Sequence, residues 1–151
     1  MENNRDLEII SKKLNGEVKF LFKKPFEKDN CVLSSGIRIE FETIPSYNTN
    51  KKFHPKENGW LGYIVNIDGK NYYIAGDTDI TEEAKEVKCD VAFLPCGGTY
   101  TMTATEAANL ANIMKPEIAV PTHYGAIVGD KDDGKMFISL LNNVKGVEII
   151  K

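Results

Sequence analysis

Asp77 and Asp79 sit in Gly76-Asp77-Thr78-Asp79, a turn that closes the apolar run from Tyr72 to Ala75. A carboxylate just past a buried strand is a hard anionic donor on a rigid support, which is what a metal centre needs. One carboxylate is not a site, so the other ligands must come from elsewhere in the chain. Two further segments have the same form. Cys96-Gly97-Gly98-Thr99-Tyr100 follows Val91 to Pro95, and Pro121-Thr122-His123-Tyr124-Gly125 follows Ile118 to Val120. If these strands share a sheet and a direction, the three loops gather at one edge. Asp77 and His123 could then share Zn²⁺, Mn²⁺ or Fe²⁺.

Each residue also has a plainer reading. The chain has two histidines, His54 and His123, and a lone histidine is often a satisfied surface or core residue. His54 lies in a stretch without periodicity, 46–59, and taken alone is an ordinary exposed histidine. Asp77 can be a turn residue. Asp79 suits the N-cap of a helix starting at Thr81. Gly97, Gly98 and Thr99 can be a tight strand-to-helix connection. Their functional alternative is a cradle of backbone N–H groups for an anion.

The elements that must position these loops follow from hydrophobic periodicity. A helix is expected over Arg5 to Leu14 and a strand over Val18 to Phe22. Pro25 to Ser35 reads as loop with edge structure. Ile37 to Ile44 alternates as a half-buried strand, and 46–59 as a long loop. Leu61 to Ile67 and Tyr72 to Ala75 form a hairpin through Asp68-Gly69. Thr81 to Val87 is a short helix and Val91 to Leu94 a buried strand. Thr103-Ala104-Thr105-Glu106 is a capping box opening a helix with Ala107, Ala108, Ala111 and Met114 on one face. Ile118 to Val120 is a strand. Lys135 to Val144 is a helix with Met136, Phe137, Leu140, Leu141 and Val144 on one face, and Val147 to Ile150 is a last strand.

Length and composition describe one soluble α/β domain. The 151 residues are 42% hydrophobic and 27% charged, with a net charge of −3. An acidic chain has no basic field to recruit nucleic acid. No apolar run is long enough to span a bilayer, so no membrane partner is expected. Three cysteines without a CxxC pair argue against a disulfide framework and for a reducing cytoplasm.

In their order along the chain, IPSYNTNKKFHPKENGWLGYIVNIDGKNYYIAGDTD, LPCGGTYTMTATEAANLANIMKP and AVPTHYG resemble the C-terminal half of a metallo-β-lactamase-fold hydrolase. The resemblance is closest to bacterial and archaeal metal-dependent hydrolases related to ascorbate-phosphate lactonases, and it covers nearly the whole chain. It implies a divalent metal cofactor, Zn or Mn, with Asp77 as the bridging and catalytic carboxylate. It also implies His123 as a metal ligand, with His54 or Asn48 supplying the position after Pro45. Gly97, Gly98 and Thr99 could seat an anionic group of a small-molecule substrate.

The His-x-His-x-Asp-His motif of that family is absent from this sequence. The expected architecture is therefore half of an αββα sandwich, a mixed sheet with helices on one face, read as a single truncated domain over 1–151. Its other face needs a cover, from a second copy as a homo-oligomer or from a separate N-terminal half. With an incomplete ligand set, the isolated chain is expected to be weakly active or inactive as a metal-dependent hydrolase. The alternative is a non-enzymatic remnant or interaction subunit. Cys96 is expected to be a small buried side chain rather than a thiolate ligand.

Overall fold

In the computed structural model, residues 23–32 and 38–149 are described. The elements expected at Arg5 to Leu14 and Val18 to Phe22 lie outside them. Among the described residues seven strands form one sheet in chain order: β1 (Lys28–Val32), β2 (Arg38–Pro45), β3 (Leu61–Ile67), β4 (Lys70–Ile74), β5 (Val91–Pro95), β6 (Ile118–Thr122) and β7 (Lys145–Gly146). The first four are an antiparallel meander. From β4 onward the pairing is parallel. The change of direction has a local cause. β3 and β4 are joined by Asp68 and Gly69, both at positive φ (51° and 77°), as a two-residue hairpin turn requires. The later connections run through α1 (Glu82–Lys85), α2 (Ala104–Met114) and α3 (Asp133–Ser139), long enough to return the chain in parallel.

All three helices cover the same face of the sheet. Tyr73, Ala92, Leu94 and Ala119 point into a core with Ala107, Ala108, Leu110, Ala111 and Met114 of α2 and Phe137 of α3. The alanines on α2 allow its backbone close to the sheet. The expected mixed sheet with helices on one face is thus what the described residues form.

Strand alternation sends the intervening residues to the second face. Phe41, Val65, Tyr72, Val91 and Ile118 stand in one cross-strand row. Tyr63, Ile74, Phe93 and Val120 stand in the next. No described helix lies over this apolar face, and Tyr63, Ile67 and Ile74 are exposed at 37%, 43% and 47%. The strand expected over Ile37 to Ile44 is seen as β2 from Arg38, with Ile37 outside the described residues, and Ile39 and Phe41 belong to this second face.

Two expected boundaries shift near the C-terminus. The last helix is Asp133–Ser139 and the last strand Lys145–Gly146. Ser139 Oγ donates to the Met136 carbonyl at 2.7 Å, and the Leu140 and Leu141 N–H groups donate three residues back, so the helix ends in a tightened turn. Met136 (50%) and Leu140 (39%) are consequently exposed, and Phe137 carries the packing.

The capping box forms as expected. Glu106 N–H donates to Thr103 Oγ1 at 3.2 Å, and Thr103 N–H donates to Glu106 Oε2 at 2.8 Å. Thr103→Ala should therefore lower stability by about 1 kcal/mol in urea unfolding without changing the unfolding slope.

Candidate functional site

The C-terminal ends of β4, β5 and β6 lie side by side, and the loops leaving them meet there. Asp77 stands at the centre. Its Oδ2 is 3.2 Å from His54 Nε2 and its Oδ1 is 3.6 Å from His123 Nε2. Each imidazole thus addresses a different oxygen of one carboxylate. Asp77 is 38% exposed and His123 35%, whereas His54 is 16% exposed. The site is open on one side. A cleft of about 380 Å³ lined by Ile74, Gly76, Asp77, Phe93, Pro95, Thr122 and His123 leads from it onto the uncovered sheet face. A second, of about 310 Å³, lies between Asp77, His54, Ser46, Trp60 and Leu61.

His54 reaches Asp77 because the loop 46–59 is pinned along the 77–79 turn. Ser46 Oγ donates to the Asp77 carbonyl at 2.9 Å, Asp79 N–H to the Tyr47 carbonyl at 2.9 Å, and Tyr47 N–H to Thr78 Oγ1 at 3.2 Å. Asp79 does not cap the following helix; Thr81 does, accepting from Ala84 N–H at 3.0 Å. Asp79 is instead buried, accepting from Thr49 N–H at 2.9 Å and pairing with Lys51. A buried carboxylate needs such partners, and both come from the loop it fastens. Further out, Lys56 Nζ meets Glu83 Oε1 at 2.8 Å and lies 4.6 Å over the Tyr47 ring. The Trp60 ring meets His54 edge-on, with centroids 4.9 Å apart.

His123 is held from the other side. Its φ of 56° turns it out of β6. A Cβ on Gly97 would stand 2.2 Å from the His123 carbonyl oxygen, so only glycine lets these two loops touch. That contact is what the Gly97-Gly98-Thr99 turn provides. Two of the turn's N–H groups are already engaged: Gly98 N–H donates to the Met102 carbonyl at 2.9 Å and Thr99 N–H to the Gly97 carbonyl at 3.0 Å. Tyr124 donates to Glu148 Oε1 at 2.8 Å, and burial pushes its hydroxyl up to about 12, so it anchors the loop as a neutral group.

The donor types at Asp77 suit a divalent metal, and their number falls short. Among the described residues no three His, Cys, Asp or Glu side chains form a group that could hold an ion. The pairwise distances show why. The three donors make two half-sites sharing one carboxylate, each with one imidazole. Structural zinc takes about four ligands and catalytic zinc about three from protein, so each half-site needs at least one more. Asn48 is not among the donors at Asp77; it holds His54. Cys96 is fully buried, and burial, followed by the nearby Asp133 and Glu148, pushes its thiol up to about 12. A thiol held neutral is a poor metal ligand.

Of the predicted residues, the structure brings Asp77, His54 and His123 together and places Gly97 behind His123. Sequence reasoning missed Asn48 as His54's support and Asp79 as the loop's anchor. The one available signal was that both lie in polar loops flanking strands of the same sheet.

The Cys96 thiol yields a pH prediction. Its pKa is higher folded than unfolded, so the unfolded chain loses this proton first and stability falls as pH rises from about 9 toward about 12. Cys89, raised to about 11 chiefly by burial, acts in the same direction. Urea unfolding at about pH 8 and about pH 10.5 should show a drop that Cys96→Ala partly removes.

A family model described as a β-lactamase superfamily domain matches residues 16–124. A metal-dependent hydrolase of Pyrococcus abyssi is 36% identical over 113 residues, covering 72% of this chain and 50% of the relative. One of Pyrococcus furiosus is 30% identical over 118 residues, covering 75% and 52%. The crystal structure of a metal-dependent hydrolase from Parabacteroides distasonis superposes with a TM-score of 0.70 at 35% identity, covering 93% of this chain and 61% of that one. The chain spans about half the length of the curated relatives it matches.

Proposed function

The chain belongs to the β-lactamase superfamily, and from that premise we propose that it supplies the Asp77 side of a divalent-metal hydrolase site. The observation that carries this reading is the single carboxylate with His54 Nε2 and His123 Nε2 on separate oxygens. A metal held there would supply an activated water and an electrophile for a carbonyl or phosphoryl oxygen. Asp77 would bridge two positions, His123 would fix one and His54 the other. Zinc or manganese suits this mixture of imidazole and carboxylate. The substrate is a small molecule entering at the open side of Asp77 and His123, and its anionic part would face the metal.

The remaining ligands come from outside this set, and the uncovered sheet face supports where their carrier would sit. Tyr63, Ile67 and Ile74 are exposed on the face that opens into the site. An apolar face of this kind marks an interface. A second copy of the chain, or a separate segment corresponding to the other half of the relatives, would cover it. Cys89 and Cys96 are free thiols, which supports a reducing, cytoplasmic setting. No described helix is long and apolar enough to cross a membrane. The half-filled ligand set also supports a second reading, in which the isolated chain is an interaction subunit with little turnover of its own.

The test combines zinc titration calorimetry with light scattering on the purified chain. Zinc should bind, and Asp77→Ala should weaken binding by more than about 100-fold, beyond the roughly 10- to 100-fold that loss of a supporting contact gives. The solution mass should exceed the 16.9 kDa of one chain. Equal zinc affinity in wild type and Asp77→Ala would remove the metal reading, and a stable monomer would remove the covering layer.

A further inference from the structure

Asn48 is buried, 7% exposed, in a loop where asparagine would ordinarily face water. Its side chain makes three contacts. Nδ2 donates to the Tyr100 carbonyl at 2.9 Å. Oδ1 accepts from the His54 backbone N–H at 3.0 Å and lies 3.2 Å from His54 Nδ1. The Asn48 N–H also donates to the His54 carbonyl at 2.7 Å, closing the loop on itself.

These contacts decide which way the amide points. Reversing it would set an NH₂ against the His54 N–H and an oxygen against the Tyr100 carbonyl, so both neighbours require the orientation seen. The atom facing His54 Nδ1 is therefore an acceptor, and Nδ1 must carry the proton. Nε2, on the opposite side of the ring, faces another acceptor, Asp77 Oδ2, at 3.2 Å. A neutral imidazole carries a single N–H and cannot serve two acceptors. With Nδ1–H committed to Asn48, Nε2 of the neutral ring turns its lone pair toward Oδ2, and the gap between them takes a proton or a metal ion. The hydrogen bond made by one ring nitrogen sets the role of the other.

We propose that Asn48 is a positioning residue for His54: its amide oxygen takes the Nδ1 proton and reserves Nε2, beside Asp77, for a metal ion. Asn48 itself does not ligate. This rests on the metal reading above but adds a separate claim about the ring, one that is measurable without metal.

The experiment uses the full chain with ¹⁵N-labelled histidine and two variants. Asn48→Asp keeps an acceptor oxygen but loses the donor to the Tyr100 carbonyl. Asn48→Ala loses both. In the metal-free chain at about pH 8, where an ordinary imidazole is neutral, NMR should show Nε2 unprotonated and the His54 Nδ1 proton as a slowly exchanging signal. It should persist in Asn48→Asp and vanish by exchange in Asn48→Ala, with both variants folded by amide dispersion. Zinc affinity should fall about 10- to 100-fold in Asn48→Ala and far less in Asn48→Asp. A purely structural role, resting on the Tyr100 contact, would damage both variants alike. Absence of the Nδ1 signal in the wild type, its survival in Asn48→Ala, or equal damage in both variants would overturn the proposal. Should zinc bind neither wild type nor variants while the Nδ1 pattern holds, the metal reading fails and the positioning of the ring stands.

Discussion

The Asp77 carboxylate faces two imidazoles at once, and most of the molecule can be understood as what that requires. The two histidines are 69 residues apart in the chain. One comes from a loop before β3 and the other from the end of β6. Bringing them to opposite oxygens of one side chain requires β4, β5 and β6 to be adjacent and parallel, so that their ends share an edge. It also requires the 46–59 loop to lie along the 77–79 turn. The hydrogen bonds of Ser46, Tyr47 and Thr49 to that turn meet this second requirement.

The two aspartates of the turn have been given opposite environments. Asp79 is buried and satisfied by the loop it holds, and its removal would take away the carboxylate that pairs with Lys51 and accepts from Thr49 N–H. Asp77 remains partly open to solvent, with only imidazoles against it. In an extended strand residues two apart share a face; 77–79 is a turn instead, and its two carboxylates have separate partners, so one fastens structure while its neighbour serves the site. The same division applies to the glycines: Gly97 exists for its lack of a side chain, which lets the β5 loop touch the backbone of His123.

Much of the sheet was legible in the sequence because turns and caps are local. Asp68-Gly69 and Thr103 to Glu106 carry their own geometry, and the buried runs around Ala92 and Ala119 have no other reading. The juxtaposition of Asp77 and His123 followed from placing both just past strands. His54 was not legible in this way. Its loop has no periodicity, and its position comes from hydrogen bonds to a turn some 25 residues later, which no local pattern announces. Asp79 was misread because an acidic residue before a helix has good capping chemistry, and burial, invisible in a short window, gave it another task. Nor could alternation in Ile39 and Phe41 say which face the helices would cover, because both faces of the central strands are apolar.

Everything proposed for this site depends on Asp77 offering its two oxygens to two separate imidazoles. Anomalous diffraction from crystals of the chain soaked in zinc measures this most directly. Zinc is expected within coordination distance of an Asp77 oxygen and of the imidazole facing it: His54 Nε2 with Oδ2, His123 Nε2 with Oδ1, or both. Zinc held only at sites remote from Asp77, or bound by His54 through Nδ1, would contradict it.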